Sequence, residues 1–97
     1  MLAVRIAFSN PDKIGERAAF LEAHKAYLRN ANIHILQSGP FTSLAGGFAG
    51  ALIIAEVESL THFKDFSDAD PFVANGIYAT AHIVAWSVTM DRMVRLC

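Results

Sequence analysis

Apolar and polar positions alternate at the start of the chain. In LAVRIAF (residues 2–8), Leu2, Val4, Ile6 and Phe8 stand against Ala3, Arg5 and Ala7. A period of two predicts a strand. SNPDK follows, where Asn10 can cap and Pro11 suits a first helical position, so a helix is expected from there to residue 30 or 31. IHILQSGP (33–40) reads as a second strand closed by Gly39-Pro40, and FTSLAGG as a hairpin loop. FAGALIIAEV (48–57) is a strongly apolar third strand. Ser59 is a good N-cap for a short helix through LTHFKDFSDA. In DPFVANG, Asp70 can cap one further helical turn that begins at Pro71 and ends at Asn75-Gly76. IYATAHIVAWSVT (77–89) is a long fourth strand, and the tail MDRMVRLC carries no clear period. The order β-α-β-β-α-β is the ferredoxin-like split βαβ pattern of the α+β class, with both helices on one face of a four-stranded antiparallel sheet.

The second sheet face then has no helix to cover it, yet it is not polar. In the fourth strand Tyr78, His82, Val84, Trp86 and Val88 share one side, and Ile77, Ala79, Ala81, Ile83 and Ala85 the other. The third strand sets Leu52 and Ile54 against Ile53, Ala55 and Val57. A solvated face should be polar, so a homodimer with two sheets packed face to face is expected. Composition agrees. The apolar fraction is 54% and the charged fraction 18%, against about 45–50% and 25% in ordinary domains. At 97 residues one domain over the whole chain, 1–97, is expected.

A net charge of −1 gives no electrostatic footprint for nucleic acid or an anionic membrane. No apolar run approaches the ~20 residues of a membrane span, and MLAVRIAF is too short for a secretory signal. Cys97 is the sole cysteine, which excludes an intrachain disulfide and a multi-cysteine metal site. Oxidation of Cys97 can link two chains, but an inert thiol in a reduced, cytoplasmic setting is the simpler expectation.

Two polar residues interrupt the apolar stripe of the first helix. On a helical wheel Phe20, Leu21, Tyr27, Leu28 and Ala31 cluster on one side, with His24 in their middle and Arg17, one residue short of two turns earlier, on the same stripe. Glu22 and Arg29 fall opposite. His24 is either a core histidine satisfied by a carbonyl or a general acid–base whose second nitrogen needs an orienting group. Asp12, Glu16, Glu22 and Asp91 read as capping or exposed, and Glu56 and Glu58 end a strand. Asp70 lies in a turn that can fold back over the helix. Spacing does not fix a contact between residues 24 and 70, and Asp70 as a cap accounts for its position equally well. The remaining histidines, His34, His62 and His82, offer no HxH or HxxxH pair, so no metal is expected. GGFAG leads into a strand and cannot act as a phosphate loop. Ser38 lacks a nucleophile-elbow frame, while Gly39 permits close approach of a ligand to the backbone.

Three stretches resemble the YCII-related family: HKAYL (24–28), SGP (38–40) and ESLTHFKDFSDADPFVANGIY (58–78). The last holds the most specific element, DPF followed by a glycine and an apolar–aromatic pair. The resemblance covers nearly the whole chain. It implies a dimeric α+β barrel, bacterial and cytosolic, with His24 and Asp70 as the catalytic pair. It also implies kinship with lyases, isomerases and dechlorinases that act on ring compounds. One departure is visible. The family often carries an Arg-Pro pair shortly before the helix histidine, where this chain has FLEAH. Either Arg17, one turn earlier, replaces that cation, or the substrate is less acidic. The short turn between Pro40 and Gly46 implies a more open pocket.

These readings converge on a proton-transfer enzyme for a small cyclic or aromatic substrate, without a cofactor. Arg17, Ser38, Gly39, Tyr27 and Phe72 are expected around the substrate. A non-catalytic ligand-binding or accessory protein, with a cavity lined by Phe20, Phe72, Tyr78 and Trp86, is the alternative. An oxygenase of the related dimeric α+β barrel type, with haem or substrate-assisted chemistry, is a third reading.

Overall fold

A computed structural model describes residues 1–93; Cys97 lies outside the described residues. Strand β1 (Leu2–Ser9) leads through a 3₁₀ turn (Pro11–Glu16) into helix α1 (Arg17–Arg29). Strands β2 (His34–Thr42) and β3 (Phe48–Glu56) form a hairpin, followed by α2 (Leu60–Asp68), α3 (Pro71–Ala74) and β4 (Tyr78–Ala85). The sheet order is β2-β3-β1-β4 with every neighbouring pair antiparallel. That is the ferredoxin-like α+β arrangement expected from the chain pattern.

The expected helix start divides in two. Asn10 accepts a hydrogen bond from the Asp12 N–H at 3.0 Å, as a cap should, but the turn it caps is 3₁₀. Gly15 falls in that turn, and a glycine inside an α-helix costs about 1 kcal/mol; tight 3₁₀ pieces are common at helix starts. The regular helix therefore begins at Arg17. Strand β2 does not close at Gly39-Pro40 but runs on to Thr42. Proline is tolerated because β2 is an edge strand. Strand β4 stops at Ala85 rather than continuing to residue 89. The Trp86 N–H still donates to the Leu2 carbonyl at 3.0 Å, but β1 begins there and offers no further partner.

The helices cover the face of β1 that carries Ala3, Arg5 and Ala7, all fully buried. Small side chains let the helices come close. Ala3 joins Ile53, Ala55, Val57, Phe63 and Phe66 in one apolar cluster. Ala7 joins Phe72, Ile77 and Tyr78 in another. Fully burying a side chain such as Phe63 or Phe72 stabilises the fold by about 1.5–3 kcal/mol. Arg5, between Ala3 and Ala7 on the same strand, lies between the two clusters.

Among the described residues no helix covers the opposite face of the sheet. Val4, Ile6, Leu52, Ile54, Val84 and Trp86 line a shallow apolar depression there. Trp86 is thus on the far side of the sheet from Phe20, Phe72 and Tyr78, and the four do not share a cavity. Strict alternation assigns Tyr78 to the face of His82 and Val84. A β-bulge opposite the Phe8–Ser9 step breaks the register, since Phe8 pairs with Thr80 and Ser9 with Tyr78. The extra residue turns Tyr78 to the helix side, where it is buried. Within β3, Gly50 sits where its neighbours come closest: a Cβ there would overlap the Ala7 carbonyl oxygen and the Phe41 ring.

Candidate active site

Asp70 is built into the turn between α2 and α3. Its backbone is extended, Pro71 occupies the first helical position, and its Oδ1 accepts from the Phe72 N–H at 3.0 Å. The cap fixes the carboxylate in place, and the same group then meets two side chains. Oδ1 also lies 2.7 Å from His24 Nδ1, and Oδ2 accepts from Arg5 Nη1 at 2.8 Å. Arg5 Nη1 reaches Ser67 Oγ at 3.4 Å. Arg5 and Asp70 are both fully buried, and His24 is 8% exposed. An N-cap and a clasp between β1 and α1 are thus one residue.

Two aromatic rings hold the imidazole. His24 stacks on Phe72 at 4.1 Å between ring centres, with planes 4° apart, and meets the Tyr78 ring edge-on at 6.2 Å. The Asp70 carboxylate accepts the Nδ1 hydrogen, which leaves Nε2 as the acceptor of the neutral ring. Nε2 has no hydrogen-bond partner among the described residues. Burial by itself would push the Asp70 carboxyl up. The hydrogen bond and charge of His24, with those of Arg5, outweigh it and hold the carboxyl below its usual range. Burial pushes the Tyr78 phenol up to about 12. Near neutral pH Tyr78 is therefore a neutral hydroxyl and not a base.

A cavity of about 250 Å³ opens beside this cluster, between α1 and the sheet. Arg5, Arg17, His24, Lys25, Ser38, Gly39 and Tyr78 line it, with apolar walls from Leu21, Leu28, Phe48 and Ile53. The sheet register explains the floor. Ser38 pairs with Ile53, Ile53 with Arg5 and Arg5 with Ile83, so one lateral row carries all four on the helix face. Gly39 pairs with Leu52 in the alternate row, so it presents backbone rather than a side-chain position to the cavity. The guanidinium carbon of Arg17 lies over the Phe48 ring, 4.1 Å from its centre, a cation–π contact.

Of the residues expected around a substrate, His24, Arg17, Ser38 and Gly39 line the cavity. Asp70 and Phe72 lie behind His24 and hold it. Tyr27 is elsewhere: its hydroxyl donates to the Phe66 carbonyl at 2.9 Å and its ring stacks on Phe66. It ties α1 to α2. Arg5 is the functional candidate that sequence reasoning missed. A lone arginine between two alanines on a strand was the available signal, since alanines at i±2 mark the face on which a helix can lie close.

This combination, a ferredoxin-like sheet with a buried Arg–Asp–His cluster at a helix–sheet cavity, defines a class of small α+β domain. The YCII-related domain matches residues 1–87, and the chain belongs to the YCII-related family. It is 36% identical to Protein YciI of Escherichia coli O6:H1, over 80% of this chain and 88% of that protein. An uncharacterized protein of Haemophilus influenzae is 33% identical, over 81% and 89%. Among solved structures, the 5-chloro-2-hydroxyhydroquinone dehydrochlorinase TftG of Burkholderia phenoliruptrix AC1100, in complex with 2,5-dihydroxybenzoquinone, is similar. The TM-score is 0.76 at 26% identity, covering 90% of this chain and 94% of that one.

Among the described residues no helix is long and apolar enough to cross a membrane, and no three His, Cys, Asp or Glu side chains are grouped to hold a metal.

Proposed function

We propose that the protein is a small-molecule enzyme in which His24 transfers a proton on a cyclic or aromatic substrate held in the helix–sheet cavity. The observation that carries this reading is the 2.7 Å contact of His24 Nδ1 with buried Asp70, with His24 also lining the cavity. Asp70 keeps the proton on Nδ1 and stabilises the imidazolium once Nε2 has gained a second one. Likeness to a dehydrochlorinase supports elimination from a ring as one form of the reaction. There Nε2 takes a proton from a hydroxyl or ring carbon of the keto tautomer, the pair left behind forms the new ring or carbonyl double bond, and chloride departs from the tetrahedral carbon with its bonding electrons. Return of the proton to a different ring atom is isomerisation with the same machinery.

Ring deuteration followed by NMR in D₂O, together with chloride release, tests this on a panel of hydroquinones with and without chlorine. The expected result is protein-dependent exchange or chloride release for at least one ring compound. If ring compounds bind and none exchanges or loses chloride, the protein is a ligand carrier and the enzyme reading fails.

We further propose that two copies pack their open sheet faces together. The support is the uncovered depression formed by Val4, Ile6, Leu52, Ile54, Val84 and Trp86, a face without charge at these positions. Sedimentation at low concentration should give twice the 10.6 kDa chain mass, and Val84→Glu should give the single mass. A wild-type protein that sediments as one chain removes the dimer. Bacterial cytosol is the setting we propose for it.

A further inference from the structure

Arg5 has donors that the fold does not use. Nη1 is occupied by Asp70 and Ser67, while Nε and Nη2 are buried and have no partner among the described residues. These two nitrogens form one edge of the guanidinium, with parallel N–H bonds. The side chain is fully buried, so bulk solvent does not reach it. A buried unsatisfied donor is costly, and more so on a charged group. The Tyr78 ring, 5.4 Å from the guanidinium carbon, offsets only part of that.

Arg17 repeats the pattern. It lines the same cavity, and its buried Nε also lacks a partner among the described residues. Lys25 stands on the cavity wall as a third cation. No aspartate or glutamate belongs to the lining among the described residues. Asp70, which balances one positive charge, lies behind Arg5 and His24 and uses both oxygens there. The cavity therefore carries one cation on its sheet floor and two on its helix side, among apolar side chains.

We infer that Arg5 and Arg17 form an oxyanion subsite, and that the ligand is a planar ring carrying an ionised two-oxygen edge. A ring carboxylate and a phenolate or enolate next to a hydroxyl share this chemistry. This rests on the proposed proton transfer at His24 and names its substrate class. When Nε2 takes a proton from the ring, the electron pair left behind moves onto a ring oxygen, and the arginine edge receives that charge. Apolar walls exclude water, which strengthens the pairing.

Binding of probes to the full chain tests it by calorimetry and visible spectroscopy. 4-Nitrocatechol and benzoate are the ionised probes; 4-nitroveratrole and benzamide are their neutral counterparts. At least one ionised probe should bind about tenfold to a hundredfold more tightly than its counterpart. Preference for 4-nitrocatechol identifies ring oxygens, and preference for benzoate a carboxylate. Bound 4-nitrocatechol should show its ionised spectrum at a pH where the free probe is neutral.

Arg5→Gln should abolish the preference if the variant folds. Arg17→Gln leaves the Arg5–Asp70 pair intact and should reduce the preference about tenfold while near-ultraviolet dichroism stays native. His24→Ala should keep the preference even where turnover is lost, so the subsite and the proton transfer stand or fall separately. Equal affinity for charged and neutral probes in both pairs, an unchanged preference in Arg17→Gln, or loss of the preference in His24→Ala overturns the inference.

Discussion

Asp70→Ala is expected to lose about 3–5 kcal/mol of folding stability, the cost of removing one partner of a buried ion pair. The geometry explains why this position is so sensitive. Without the carboxylate, Arg5 stays charged at zero exposure, with only Ser67 Oγ at 3.4 Å. The Phe72 N–H loses its cap acceptor, and His24 Nδ1 loses its partner. Domains of this kind are stable by about 5–15 kcal/mol in total. Each kcal/mol lowers Tm by roughly 4–8 °C at this size.

Urea unfolding measures the loss. Arg5→Met combined with Asp70→Ala should recover a large part of it, because a missing pair costs less than a single buried charge. If Asp70→Ala unfolds within about 1 kcal/mol of wild type, the pair is not a structural element. The pH dependence has a definite sign. The folded Asp70 carboxyl titrates below its ordinary value of 3.8. Its contribution is complete above the unfolded value and is lost as pH falls through the lower folded one. The gap between wild type and Asp70→Asn should therefore be constant at neutral pH and narrow in acid. A gap that widens in acid reverses the assignment.

His24→Gln is expected to lower kcat/KM by about 10²–10⁴ on any ring compound that wild type converts, the usual worth of a positioned general acid–base. The loss should fall on kcat, because the cations and apolar walls that hold the ligand remain. Stability should change little by comparison. Asp70 keeps Arg5 and the Phe72 N–H as partners, and a glutamine fills part of the space over Phe72. A kcat within about tenfold of wild type moves the proton transfer to another group. The neutral Tyr78 hydroxyl would then be the next position to change.

Element order and the main helix stripe were readable because they depend on local period and caps. The place of His24 among Phe20, Leu21, Tyr27 and Leu28 follows from angles on one helix. Its partner does not. Residues 24 and 70 are brought together by the return of the chain over α1, and the pairing came from family resemblance rather than spacing. Arg5 was hidden for a different reason. The larger side chains of β1 lie on the open face, while the covered face carries alanines, so side-chain size pointed away from the helices. Tyr78 was placed on the wrong face because one extra residue in a ladder reverses all that lies beyond it. Tyr27 lay at the edge of the stripe and turns toward Phe66 of α2, while Leu28, the next residue, lines the cavity.

Asp70 also determines what a purely structural selection would preserve. Its carboxylate completes α3, neutralises Arg5 and orients His24 in a single act. A library of random variants, screened only for correctly assembled protein, should keep Arg5 and Asp70 while His24 drifts toward glutamine, leucine or methionine. In such a library the imidazole alone would distinguish members that retain chemistry from members that retain only shape.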